Sequence, residues 1–231
     1  MGLISILQSN PDLFILISIS LIFALCFHEF AHGYIAFRCG DDTAYNMGRL
    51  TLNPLKHLDP IGTLMILFIG FGYAKPVPVN PYNLDNPRND MIKVAAAGPV
   101  SNFLLSFIGI FVSVVIKLYF NVSNQNLDLF FNYFCMINIY LGLFNLLPIY
   151  PLDGGQIFGN FISKYNPDIF RQLNQYGPKI LFGVIIFSII TNIPIIGYLI
   201  HTPAQKILYL FQYVIVQFFL ILNNLLPFIN V

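Results

Sequence analysis

Five consecutive residues, His28-Glu29-Phe30-Ala31-His32, carry the clearest chemistry in the chain. Histidines at i and i+4 of a helix lie one turn apart on one face, so both imidazoles can reach a single Zn²⁺ at roughly 2.0–2.1 Å. Glu29 projects beside them, where a carboxylate can take a proton from a water held by the metal. So short a pattern often arises by chance in soluble sequences. Here it stands inside a long apolar stretch, where ionisable side chains are costly unless they are paired. That setting favours metal binding.

A structural zinc site is closed by four protein ligands, whereas a catalytic one uses three and leaves a position for water. Asp153 is the candidate third ligand, in the segment Asn145-Leu146-Leu147-Pro148-Ile149-Tyr150-Pro151-Leu152-Asp153-Gly154-Gly155. Pro148 and Pro151 lack amide donors and interrupt a helix, and Gly154 and Gly155 let the backbone turn sharply or approach another group. Alone, Asp153 reads as an ordinary interfacial residue in a turn; beside the histidine pair it reads as a ligand. Asn145, near the end of an apolar stretch, could donate to the oxyanion of a tetrahedral intermediate. Asn138, Gly142 and Asn145 share a helix face, and for Asn138 interhelical hydrogen bonding serves equally well.

Other polar residues read more plainly. Gly98-Pro99-Val100-Ser101-Asn102 suits close helix packing. His57, in Lys56-His57-Leu58-Asp59-Pro60, fits a solvated or hydrogen-bonded loop residue, and His201 beside Thr202-Pro203 is incidental. Cys26, Cys39 and Cys135 lack metal-ligand spacing and read as reduced packing residues.

The elements that must position these groups lie in lipid. Of 231 residues, 57% are hydrophobic and 9% charged, far below the roughly 25% charged of globular chains. The pattern predicts an all-α integral membrane protein with about five transmembrane helices. The spans run over about 12–37, 91–120, 127–147, 180–200 and 203–226. The apolar run Ile61–Tyr73 is short for a span, and its glycines suit a re-entrant or β-like membrane segment. The first span lacks the flanks of a cleavable signal. One domain over 1–231 is expected, with a catalytic core at about 12–158 and C-terminal helices at about 178–227.

With the amino terminus outside, the inner loops hold Arg38, Arg49, Lys56, Lys75, Arg88, Lys93, Lys164, Arg171 and Lys179. Only Lys117 and Lys206 fall near the outer side, a bias that places the inner loops in the cytoplasm. A net charge of +1 and the absence of basic runs give no reason to expect nucleic acid as a partner.

Taken together, the motifs resemble the site-2 protease family of zinc intramembrane metalloproteases. The resemblance rests on His28-Glu29-Phe30-Ala31-His32-Gly33, on Gly98 through Asn102 and on Asn145 through Gly155. Two further stretches resemble a compact branch of that family without PDZ or nucleotide-sensing domains. They are Gly48-Arg49-Leu50-Thr51-Leu52-Asn53-Pro54-Leu55 through Leu64, and Ala74-Lys75-Pro76-Val77-Pro78-Val79-Asn80. The likeness covers about residues 24–158, and Tyr150 stands where the branch commonly has a second proline.

The resemblance implies one zinc per chain on His28, His32 and Asp153, with Glu29 as general base and Asn145 at the scissile carbonyl. It implies extended structure between Arg49 and Tyr73 that offers an edge to an unwound substrate. The expected function is hydrolysis of transmembrane protein segments near the cytoplasmic side of the cell membrane, with substrate and lipid as partners. Three rivals are weaker. A prenyl-protein protease would need an acidic ligand on a later span, and the spans after Gly155 hold none. An idle scaffold would not need Glu29, and a transporter would show paired inverted segments.

Overall fold

The computed structural model describes residues 2–122 and 124–225. Asparagine or aspartate followed by proline starts half of its ten described α-helices. Such a pair supplies both a capping oxygen and a residue whose missing N–H costs nothing at the first helical position. Short α1 (Leu3–Ser9) leads through Asn10-Pro11 into α2 (Pro11–Arg38), with Asn10 accepting from the Leu13 amide at 3.1 Å. Two one-turn helices follow, α3 (Thr43–Asn46) and α4 (Pro54–His57), and then α5 (Pro60–Ile69). Beyond α5 come α6 (Pro87–Tyr119), α7 (Gln125–Asn145), α8 (Asp153–Tyr165), α9 (Pro167–Thr191) and α10 (Ile195–Leu225). No strand occurs among the described residues.

Five helices, α2, α6, α7, α9 and α10, are long and apolar enough to cross a membrane. The first three agree closely with the sequence expectation. The last two do not. Their boundary lies at Asn192–Pro194, not near residue 201, because Asn192 takes a left-handed φ of 57° that ends α9 and Pro194 follows. Helix α9 begins already at the Asn166-Pro167 cap, and Pro203 lies inside α10. The expected ends at 226 and 227 lie outside the described residues.

Helix replaces the expected β-like backbone at residues 61–69. Asp59 caps α5 by accepting from the Gly62 amide at 2.8 Å, and Gly70 closes it with a φ of 82° that glycine adopts without strain. Ten residues rise about 15 Å, half of a hydrocarbon core of roughly 30 Å. Residues 70–80 then run without regular structure to a single turn of 3₁₀ helix at Pro81–Asn83.

Helices α2, α6 and α7 pack on one another and carry the motifs. Gly142 lets α7 approach α6 so closely that a Cβ there would meet Phe103 at 3.1 Å and the Pro99 carbonyl at 3.3 Å. Helix α10 covers this trio through Ile139, Ile200 and Ala204 at one level and Ile110, Cys135, Ile215 and Phe219 at another. The loop before α6 is tied down by buried Asp41. It accepts from the Asn80 amide at 2.7 Å, the Asn83 side chain at 3.1 Å and the Thr43 amide at 3.1 Å. Burial pushes the Asp41 carboxyl up, but these donors more than offset it and hold the group below the usual carboxylate range.

Candidate metal centre

Helix α2 brings His28 and His32 to one face, and the broken segment after α7 returns Asp153 to meet them at the start of α8. Gly154 permits that return: a Cβ there would lie 2.3 Å from the Leu146 carbonyl oxygen. The Asp153 carboxylate stands 3.1 Å from His28 Nε2 and 3.4 Å from His32 Nε2. Ligand atoms of the three residues all lie within 4.8 Å of one another, the metal-capable group found among the described residues.

The remaining hydrogen bonds decide which atoms are free. Nδ1 of His28 donates to Asn102 Oδ1 at 2.7 Å, and Nδ1 of His32 donates to the Val94 carbonyl at 2.7 Å. Asn102 itself is fixed, because its amide donates to the Ala24 carbonyl at 3.1 Å and to Asn138 Oδ1 at 3.0 Å. With the protons on Nδ1, both Nε2 atoms present lone pairs toward a carboxylate that also only accepts. Asp153 Oδ2 is buried without a hydrogen-bond partner. Three acceptors facing one another are repulsive unless a cation lies among them, so the donor set fits a metal ion.

Room for the imidazoles comes from α6. A Cβ on Gly98 would lie 2.4 Å from His32 Nε2 and 2.6 Å from His28 Nε2. Glu29, next to this group and not part of it, accepts from the Val77 amide at 2.8 Å. Asn145 donates to the Leu141 carbonyl at 3.0 Å. A cavity of about 310 Å³ joins His28, Glu29, His32, Asn145, Asp153 and Gln156. An apolar protein interior with a base, three ligand-type side chains and an amide donor on one cavity is suited to hydrolysing an acyl bond.

The sequence matches Peptidase family M50 over residues 16–123 and 115–190. The chain belongs to this family. It is 41% identical over 202 residues to YwhC of Bacillus subtilis, by name a candidate zinc metalloprotease, covering 84% of this chain and 90% of that one. Rip2 of Mycolicibacterium smegmatis, named in the same way, is 28% identical over 191 residues, or 79% of this chain and 70% of that one. The zinc metalloprotease MJ0392 of Methanocaldococcus jannaschii is 28% identical over 152 residues, 66% of this chain and 34% of that one. No solved structure matches. This M50 peptidase is a metalloendopeptidase of the zinc metalloprotease type with membrane-length helices.

The candidate site residues His28, His32, Asp153, Glu29 and Asn145 all line one cavity in this M50 fold. His57 and His201 do not join them. Nε2 of buried His57 bonds the Thr51 carbonyl at 2.6 Å, and His201 Nδ1 pairs with the Tyr140 hydroxyl at 2.5 Å. In the sequence Asn102 reads as a packing residue, yet it bonds His28 Nδ1; an amide in the middle of an apolar helix is the available signal. Gln156 and the Val77 amide carried no signal in the sequence.

Two substitutions probe this setting. Asn102→Leu is expected to weaken zinc binding by about 10–100-fold, the usual loss when an outer partner of a ligand is removed. Competition against a chromophoric chelator would measure it, and unchanged affinity would dismiss the orienting role. Gly98→Ala should displace both imidazoles and reduce bound zinc, read by elemental analysis of the purified protein. Full occupancy would show that the imidazoles have slack.

Proposed function

We propose that this chain is a zinc-dependent intramembrane endopeptidase that hydrolyses transmembrane protein segments near the cytoplasmic side. The observation that carries this reading is the convergence of His28, His32 and Asp153 beside Glu29 inside a membrane-length helix bundle. These three residues would hold one zinc ion per chain. When bound, zinc supplies an acidified water, with a pKa near 7, and polarisation of the scissile carbonyl.

Glu29 takes a proton from the water and later delivers it to the leaving amine. Asn145 has two amide hydrogens and spends one on the Leu141 carbonyl, which leaves the other for the oxygen of the scissile carbonyl. The carbonyls of a helix are engaged in its own i→i−4 hydrogen bonds and wrapped by side chains, so the substrate must unwind locally before it is cut.

Orientation follows from the same residues. The metal group lies toward the Arg38 end of α2, and the cationic loops before α6 and α9 share that side. We place this side in the cytoplasm and the protein in the cell membrane. Helix α5, too short to cross, enters the membrane and returns. The single domain then has its catalytic core at about 12–158, with the helices at about 178–227 as its outer support.

The decisive experiment is cleavage of single-span substrates by the purified protein in detergent. Activity should vanish with a chelator and return with Zn²⁺. Cleavage that ignores the chelator would overturn the zinc reading, and cleavage confined to soluble peptides would overturn the intramembrane one.

A further inference from the structure

Buried Arg49 needs an explanation that packing does not supply. It lies after α3, is 8% exposed, and forms no ion pair among the described residues. Its Nε has no hydrogen-bond partner. A buried charge without a counter-charge is costly, and such groups are kept where they act.

One guanidinium nitrogen of Arg49 serves two successive carbonyls. Nη2 donates to the Lys75 carbonyl at 2.9 Å and to the Pro76 carbonyl at 3.1 Å. The second carbonyl belongs to the peptide unit whose N–H is the Val77 amide, and that amide donates to Glu29 Oε2 at 2.8 Å. One planar peptide therefore has a guanidinium at its oxygen and the Glu29 carboxylate at its nitrogen. Hydrogen bonds in such a chain polarise one another in the same sense.

The local sequence leaves little choice of donor. Pro76 and Pro78 have no amide hydrogen, so Val77 holds the lone backbone N–H in Pro76-Val77-Pro78, and proline fixes φ on both sides. The strand of chain is anchored before and after this point. The Lys75 amide donates to the His57 carbonyl at 2.7 Å, and Asn80 is held by Asp41. Arg49 itself is fixed from its backbone, whose amide donates to the Ala44 carbonyl at 2.8 Å.

We propose that Arg49 is a positioning residue for Glu29, acting through the Pro76–Val77 peptide that it clamps. This inference rests on the reading of Glu29 as the base. The clamp fixes one carboxylate oxygen and leaves the other to face the water. Without Arg49 the peptide can rotate, and Glu29 loses the donor that sets its rotamer while the metal group is untouched.

The test uses the full chain in detergent and a single-span substrate that the wild-type protein cuts in a chelator-sensitive way. Arg49→Gln should lower kcat by about 10²-fold, the usual effect of a small misplacement of a reacting group, with KM and zinc content as in the wild type. Arg49→Lys keeps the charge without the fork and should restore part of the loss. Val77→Pro removes the donor, along with the buried Val77 side chain that packs near Gly33, and should reproduce the loss, and combining it with Arg49→Gln should add little further. Hydrogen exchange gives a readout without catalysis: Val77 is the lone amide in 76–78, and its protection should fall in Arg49→Gln.

Wild-type kcat in Arg49→Gln, or a Val77 amide protected equally in both proteins, would overturn the proposal. So would additive losses in the double variant, or zinc lost in proportion to activity. Should Arg49→Gln fail to fold, Val77→Pro with full zinc and full kcat would overturn it alone. A wild-type protein that cuts nothing would instead count against the proposed function, and the exchange measurement would still decide whether Arg49 orders Val77.

Discussion

Glu29→Gln is expected to lower kcat by about 10³-fold, within the range that a positioned general base contributes, while zinc content and folding stay as in the wild type. The substitution is nearly isosteric, and its amide oxygen can still accept from the Val77 amide, now 2.8 Å from Glu29 Oε2. Glu29 is not among the converging ligand atoms, which belong to His28, His32 and Asp153. What the variant loses is the ability to accept a proton from water and return it to an amine. Single-turnover cleavage of a saturating substrate, with zinc measured on the same preparation, separates this loss from binding. Retention of more than about a tenth of the wild-type rate would be too small an effect for the base and would remove Glu29 from that role.

The parts of this site that were legible in the sequence are the local ones. His28, Glu29 and His32 are linked by helical spacing, so any helix places them together. Asp153 was legible because acidic residues are rare in the chain and this one stands in a broken apolar segment. Asn102 was not, since its partner His28 is 74 residues away and only the packing of α6 on α2 reveals the contact. The Val77 amide is invisible for a different reason: a backbone N–H has no side-chain signature. At the level of the fold, Asn53-Pro54, Asp59-Pro60 and Asn166-Pro167 are as good at starting helices as at making turns. Here they open α4, α5 and α9. The polar composition of the chain up to Lys179 hides the early start of α9 and shifts the last two spans.

Asp153→Ala should abolish cleavage and weaken zinc binding by at least about 10²-fold, more than the usual loss for an outer partner. Its effect on stability should depend on the metal. In the metal-free protein Asp153 Oδ2 is buried without a partner, so removing the carboxylate relieves an unmet group. The variant without zinc should be at least as stable as the wild type without zinc. With zinc the order reverses. At a free concentration of 100 times Kd a bound ion stabilises by about 2.7 kcal/mol, and a 100-fold weaker site at that concentration retains about 0.4 kcal/mol. Thermal unfolding in detergent, with and without chelator, would read the difference: chelation should lower Tm in the wild type and hardly move it in Asp153→Ala. If both proteins lost the same Tm on chelation, Asp153 would not be a ligand. If instead the variant were less stable even without metal, Asp153 would be a structural partner of His28 and His32, held for their protonated form rather than for zinc.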